Sequence, residues 1–183
     1  MKPIEKPYFW QYPPGTIPDE LIEATFKMAE TRQREEGKVM DGSIAKDIRS
    51  VERTPIDEFD PISVFMFGLA VKANQALFRY QLGGPCQFEM LHYDKKGDHY
   101  DCHVDSIEYD NGFSRKLTVM GYLNDGYKGG EFYFQTLQGV KHMVEVGKGT
   151  VLVFPPFIMH GVEPVTEGAR ESVVGWVTGP NFK

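Results

Sequence analysis

The sequence predicts a mainly β protein with flanking helices, an α+β arrangement built on a jelly-roll or double-stranded β-helix core of cupin-like type. Three observations predict it. From Phe78 onward the chain falls into eight short apolar or alternating runs, each bounded by turn residues, the texture of an antiparallel β domain closed on itself. Before Phe78 two stretches carry helical rather than strand periodicity. With 183 residues the chain supports one substantial core, so 1–183 is expected to be a single domain, with 1–80 as arm, helices and substrate-side loop and 81–180 as the β core.

The first fifteen residues hold Pro3, Pro7, Pro13, Pro14 and Gly15 among aromatics, which predicts an extended arm packed by Tyr8, Phe9, Trp10 and Tyr12. A helix is expected from Pro18, with Thr16 as its cap, carrying Leu21, Ile22, Thr25, Phe26, Met28 and Ala29 at helical spacing until Gly37. Residues 38–60 read as polar loop with a short strand around Ile48–Arg53. A second helix, Ser63–Leu77, is apolar around most of its circumference and is expected to cover one face of a sheet. The predicted strands are Gln87–Tyr93, His99–Val104, Lys116–Asn124, Glu131–Gln135, Lys141–Val144, Thr150–Phe154, Gly161–Val165 and Glu171–Val177. Turns are expected at Asp110-Asn111-Gly112, Asp125-Gly126, Gly129-Gly130, Gly147-Lys148-Gly149, Pro155-Pro156 and Glu167-Gly168.

The composition, 41% hydrophobic and 25% charged, is that of a globular chain. A net charge of −6 argues against a nucleic-acid partner, which needs a basic stripe to neutralise phosphates. Only Cys86 and Cys102 are present, too few for a disulfide framework, and the N-terminus lacks a signal peptide's apolar run. No 18-residue apolar run stands out as a membrane span. The expectation is a cytoplasmic protein without membrane association.

His103-Val104-Asp105 places an imidazole and a carboxylate two positions apart, hence on one face of an extended segment. Joined by His160, they would occupy one triangular face of a six-coordinate ion and leave the rest open, as in non-haem Fe(II) oxygenases. His99 with Asp101 has the same spacing and competes for the role, while His92 and His142 have no partner at that spacing. On the last strand Arg170, Ser172, Val174 and Trp176 share a face. A buried Arg170 would need an anion, and its planar fork suits a carboxylate, so a dicarboxylate cosubstrate is implied.

Four stretches together resemble the Fe(II)- and 2-oxoglutarate-dependent dioxygenase superfamily, prolyl 4-hydroxylase type. They are YDKKGDHYDCHVD at 93–105, RKLTVMGYLN at 115–124, Gly129-Gly130-Glu131, and FPPFIMHGVEPVTEGARESVVGW at 154–176. The resemblance covers about 86–178, and residues 1–80 match less. It implies His103, Asp105 and His160 as iron ligands and catalytic residues. It also implies Arg170 with Tyr122 on the far carboxylate of 2-oxoglutarate, and Tyr93, Ser172 and Trp176 around the cosubstrate. Arg115 and Tyr100 would contact substrate, although Arg115 has strand parity opposite to Tyr122 unless a bulge intervenes. The implied cofactors are Fe(II), 2-oxoglutarate and O2, with ascorbate as a reductant. The implied reaction hydroxylates a C–H bond, foremost in prolyl residues of a peptide or protein, with decarboxylation of 2-oxoglutarate to succinate. Val39–Asp60 and Ser106–Ser114 would close over substrate. The alternatives are an oxygenase of a small molecule or free amino acid, a nucleic-acid demethylase, and a non-catalytic cupin-like module.

Overall fold

The structure is a computed structural model that describes residues 8–39, 42–84 and 87–181; the opening residues 1–7, with Pro3 and Pro7, and Cys86 lie outside them. In chain order its elements begin with β1 (Trp10–Tyr12), α1 (Asp19–Glu30), β2 (Glu35–Glu36), β3 (Arg49–Ser50), β4 (Glu52–Ile56) and α2 (Pro61–Ala73). A π-helical turn, Asn74–Phe78, continues α2. The β core follows as β5 (Gln87–Tyr93), β6 (His99–His103), β7 (Phe113–Tyr122), β8 (Lys128–Gly129), β9 (Phe132–Gln135), β10 (Lys141–Met143), β11 (Val151–Phe154), β12 (His160–Val162), β13 (Val165–Glu167) and β14 (Arg170–Pro180). All eight predicted core strands are present.

A larger sheet runs β1-β11-β7-β14-β5-β4-β2, a smaller one runs β10-β9-β12-β6-β3, and β8 pairs with β13. Every pairing is antiparallel. This is the double-stranded β-helix that the strand spacing predicts. Strand alternation gives the larger sheet two apolar faces. Leu117, Val119, Val173 and Val177 point outward and pack with Ile22, Met66 and Ala70 of the helices. Leu91, Met120, Val174 and Trp176 point inward and meet Phe132, Phe134 and Val162 of the smaller sheet. The functional residues lie in this second layer, which has no helix in it.

The N-terminal third differs from expectation in identifiable ways. Thr16 does not cap α1: its hydroxyl donates to the Pro13 carbonyl, and Pro18 is the cap residue. The helix stops at Glu30, well before Gly37. Arg32 is drawn instead into a two-armed pair with Asp60 at 2.6 and 3.0 Å, and Glu35–Glu36 join the sheet edge against Arg53 and Glu52. Tertiary pairing overrides a modest helical preference here. The strand expected at Ile48–Arg53 is divided at Val51, because Arg49–Ser50 pair with β6 while Glu52–Ile56 pair with β5. The chain thereby crosses from one sheet to the other and seals one side of the core. Pro61–Phe78 is, by length and composition, apolar enough to cross a membrane, contrary to the expectation from sequence. Its buried residues instead pack on the outer face of the larger sheet.

Gly175 on β14 faces Phe88 of β5 directly, and a Cβ there would lie 2.2 Å from the phenyl ring. The ring fills the space over the glycine, and this close approach excludes any side chain. Gly68 inside α2 has open space instead, with no atom within 4 Å of the point where a methyl group would project. Gly175→Ala should therefore destabilise by about 1–3 kcal/mol through overpacking. Gly68→Ala should stabilise by about 0.5–1 kcal/mol through helix propensity. Urea unfolding of the two variants checks the contrast, and equal effects would contradict it.

Candidate metal centre and anion pocket

β12 and β6 place His160 directly opposite His103. Asp105 follows two residues after His103, fixed by its own N–H, which donates to the Pro156 carbonyl at 2.7 Å. One ligand atom from each of His103, Asp105 and His160 lies within 4.8 Å of the others, a spacing suited to a single metal ion. Both histidines are held in the same tautomer. A carbonyl oxygen accepts only, so His103 Nδ1 donates to Asp101 O and His160 Nδ1 donates to Ile158 O, each at 2.8 Å. Each Nε2 then presents its lone pair to the site, the arrangement of metal-binding imidazoles.

Electrostatics favour a neutral His103 and an ionised Asp105. Burial, with His160 alongside and Asp105 only partly offsetting it, pushes the His103 imidazole down to about 3, so it is neutral at physiological pH. Burial alone would raise the Asp105 carboxyl, but His160 and His103 outweigh it and hold the group well below the usual carboxylate range. Thr118 on β7 donates its hydroxyl to Asp105 Oδ2 at 2.8 Å and fixes the carboxylate's rotation.

Deeper on β14, Arg170 is fully buried. One of its terminal nitrogens donates to Ser172 Oγ at 3.0 Å, while Nε and the other terminal nitrogen are buried without an acceptor. Its guanidinium carbon lies 4.9 Å from the Tyr93 ring centre and 5.1 Å from that of Tyr122. Tyr122 is near enough to feel the charge, yet neither its hydroxyl nor that of Tyr93 makes a well-formed hydrogen bond. Burial pushes both phenols up, so they remain neutral O–H donors. A buried cation with idle donors, flanked by two idle hydroxyls, is a costly arrangement unless an anion completes it. A carboxylate fits this donor set, with two N–H groups and one or two O–H groups to receive it.

The inner layer opens into a cavity of about 410 Å³ bounded by the His103, Asp105 and His160 face and by Tyr93, Arg115 and Trp176. Arg115 reaches it through a bulge. Val177 pairs with Leu117 but Thr178 pairs with Arg115, so Lys116 is the extra residue and parity reverses before it. Arg115 thus joins the Tyr122 side, stacked 3.8 Å over the Trp176 ring. Tyr100 stacks on His103 at 3.6 Å, and Arg49 covers its other face at 4.6 Å.

Every site residue expected from the sequence lies in this inner layer. His99 is separate from it: its ring nitrogens lie against the Gly97 and Asp47 carbonyls. Sequence reasoning missed the roles of Thr118, Glu89 and the two arginines that hold Glu89, Arg49 and Arg53. Alternation could have found Glu89, which shares a strand face with Tyr93, but nothing local in the sequence announces Arg49. Thr118→Val should weaken divalent-metal binding about tenfold to a hundredfold by freeing the Asp105 carboxylate. Asp105→Ala should lose it, as titration calorimetry with Mn(II) would record; unchanged affinity in Asp105→Ala would mean the carboxylate is misassigned.

A family model of the 2OG-Fe(II) oxygenase superfamily matches residues 88–178. A PKHD-type hydroxylase of Synechococcus sp. (strain CC9902) is 37% identical over 83 residues, 44% of this chain and 36% of that one. The chain spans between 36% and 65% of the length of the first curated relatives that it matches. Among solved structures, a Pseudomonas putida prolyl-4-hydroxylase superposes with a TM-score of 0.73 at 21% identity, over 95% of this chain and 94% of that one. A Trichoplax adhaerens prolyl hydroxylase, solved with a hypoxia inducible factor oxygen degradation domain peptide fragment, gives 0.72 at 17% identity, over 93% and 83%. Through residues 88–178 of its β core the chain matches the 2OG-Fe(II) oxygenase superfamily, and it is similar in sequence to PKHD-type hydroxylases and in fold to prolyl hydroxylases.

Proposed function

We propose that the chain is an Fe(II)- and 2-oxoglutarate-dependent dioxygenase that hydroxylates a C–H bond of a prolyl residue in a peptide or protein. The observation that carries the reading is the buried Arg170 guanidinium with two idle donors, in the same inner layer as a three-residue metal face. A structural zinc site would instead close its shell with a fourth protein ligand. The prolyl assignment is supported by what the relatives and structural neighbours are called, one of them having been solved with a peptide.

In this reading His103, Asp105 and His160 hold the metal, and Thr118 fixes Asp105. Arg170 takes the far carboxylate of 2-oxoglutarate, with Tyr122 and Tyr93 as O–H donors, while Ser172 orients the guanidinium. Iron, 2-oxoglutarate and dioxygen together supply the oxidising chemistry, in which 2-oxoglutarate becomes succinate and CO2 and one oxygen atom enters the substrate C–H bond. The aromatic wall of Phe132, Phe134 and Phe154 keeps water from the face behind His160. Tyr100 and Trp176 line the substrate end.

The test is succinate formation from 2-oxoglutarate by protein loaded anaerobically with Fe(II), with and without proline-containing peptides, free amino acids and small molecules. Peptide-stimulated turnover is expected, and ascorbate should prolong it. Arg170→Met should weaken 2-oxoglutarate binding about tenfold to a hundredfold, the scale of a charge-assisted hydrogen bond. Absence of turnover with every substrate, together with no 2-oxoglutarate binding by calorimetry, would sink the reading.

A further inference from the structure

Of the arginines that line the cavity, Arg49 and Arg53 are paired with Glu89, while the charge of Arg115 is unanswered. Arg115 enters only because of the Lys116 bulge and is held flat on Trp176. One terminal nitrogen donates to the Asp105 carbonyl at 3.2 Å, while Nε is buried without an acceptor. Among the described residues no carboxylate lies within ion-pair distance of it. The acids that line the cavity are already committed. Glu89 is gripped by Arg49 at 3.1 Å and Arg53 at 2.8 Å, and Asp105 belongs to the metal face. The chain as a whole carries a net charge of −6, so a cation left open here is a local feature rather than the average of a basic surface.

Arg115 is also placed for a different molecule from the one Arg170 would hold. Arg170 opens β14 and pairs with Tyr93, whereas Arg115 sits against the other end of that strand, opposite Thr178. Position 178 lies eight residues beyond 170, about 26 Å along the strand. Arg115 lines the cavity, whereas Arg170 lies outside its lining and is held among Ser172, Tyr93 and Tyr122. With one edge of the fork used on the Asp105 carbonyl, the remaining edge suits a single carboxylate. A phosphate dianion would call for a second unpaired cation beside it.

We infer that the substrate presents a carboxylate to Arg115, so that the pocket selects acidic substrates over neutral ones of the same shape. The inference rests on the oxygenase reading and adds the chemical class of what is oxidised. The carboxylate could belong to an acidic side chain next to the reacting residue, to a peptide C-terminus, or to a free amino acid, and the test separates these sources.

Turnover is measured as succinate formed with three matched pairs: a proline peptide with Glu or Gln beside the proline, a proline-terminated peptide with a free or amidated end, and L-proline or L-prolinamide. One acidic member should exceed its neutral partner by about tenfold to a hundredfold in kcat/KM, and that pair identifies the source. In Arg115→Gln the acidic-to-neutral ratio should collapse to about one, whatever happens to the absolute rate. In Arg115→Lys the preference should persist, because the charge does. Acidic and neutral partners turned over equally by the wild-type protein would overturn the inference while leaving the oxygenase reading intact. So would weakened binding of 2-oxoglutarate itself in Arg115→Gln, which would assign the residue to the cosubstrate. If no pair is turned over and 2-oxoglutarate does not bind, both readings fall together.

Discussion

β14 is paired with β5 over 170–176 and with β7 over 172–180, and the double pairing of its central residues, 172–176, is the constraint on which the rest of the molecule depends. A strand hydrogen-bonded on both edges cannot slip by one residue without exchanging its two faces. Here one face carries Val173, Val177 and the bare Cα of Gly175 toward the helices. The other turns Arg170, Ser172, Val174 and Trp176 inward, the last two as part of the cavity lining. The apolar requirement on the outer side therefore holds the chemical side chains in register on the inner side.

The metal face shows the same logic on the smaller sheet. His103 and His160 meet because they are cross-strand partners, and their tautomers follow from carbonyls two residues earlier in each chain segment. Orientation of both imidazoles is thus a local backbone property, set on β6 for His103 and by the turn leading into β12 for His160. Asp105 lies beyond the end of β6 and depends on more distant help, the Pro156 carbonyl and the Thr118 hydroxyl. Arg49, Tyr100 and His103 form a continuous stack, so a residue from the N-terminal third supports the ring of a ligand far along the chain.

Much of this was legible in the chain. Period-2 alternation located the strands and the inward face of β14, because short-range patterning and the burial of one face are the same fact. His103 and Asp105 could be paired by spacing alone, while His160 required the resemblance or the fold. What stayed hidden depends on long-range pairing. The end of α1 at Glu30 follows from Arg32 meeting Asp60 and from Glu35–Glu36 pairing with β4, neither of which has a local signal. The break at Val51 exists only because two sheets compete for one run of residues. Arg115 was visible as a problem of parity, and the structure resolves it by a bulge at Lys116.

That bulge divides β7 into two parts with different freedoms. From Leu117 onward the strand holds Thr118 and Tyr122, and any change of register would remove the hydroxyl that fixes Asp105 and the ring beside Arg170. Before Lys116 the strand carries only Arg115 inward, where the extra residue has already uncoupled its facing from the remainder. A family built on this frame could therefore alter what it selects by inserting, deleting or replacing residues ahead of Leu117, while the metal face stayed as it is. The bulge acts as a seam between a stretch tied to the metal face and a stretch whose inward residue is free to change.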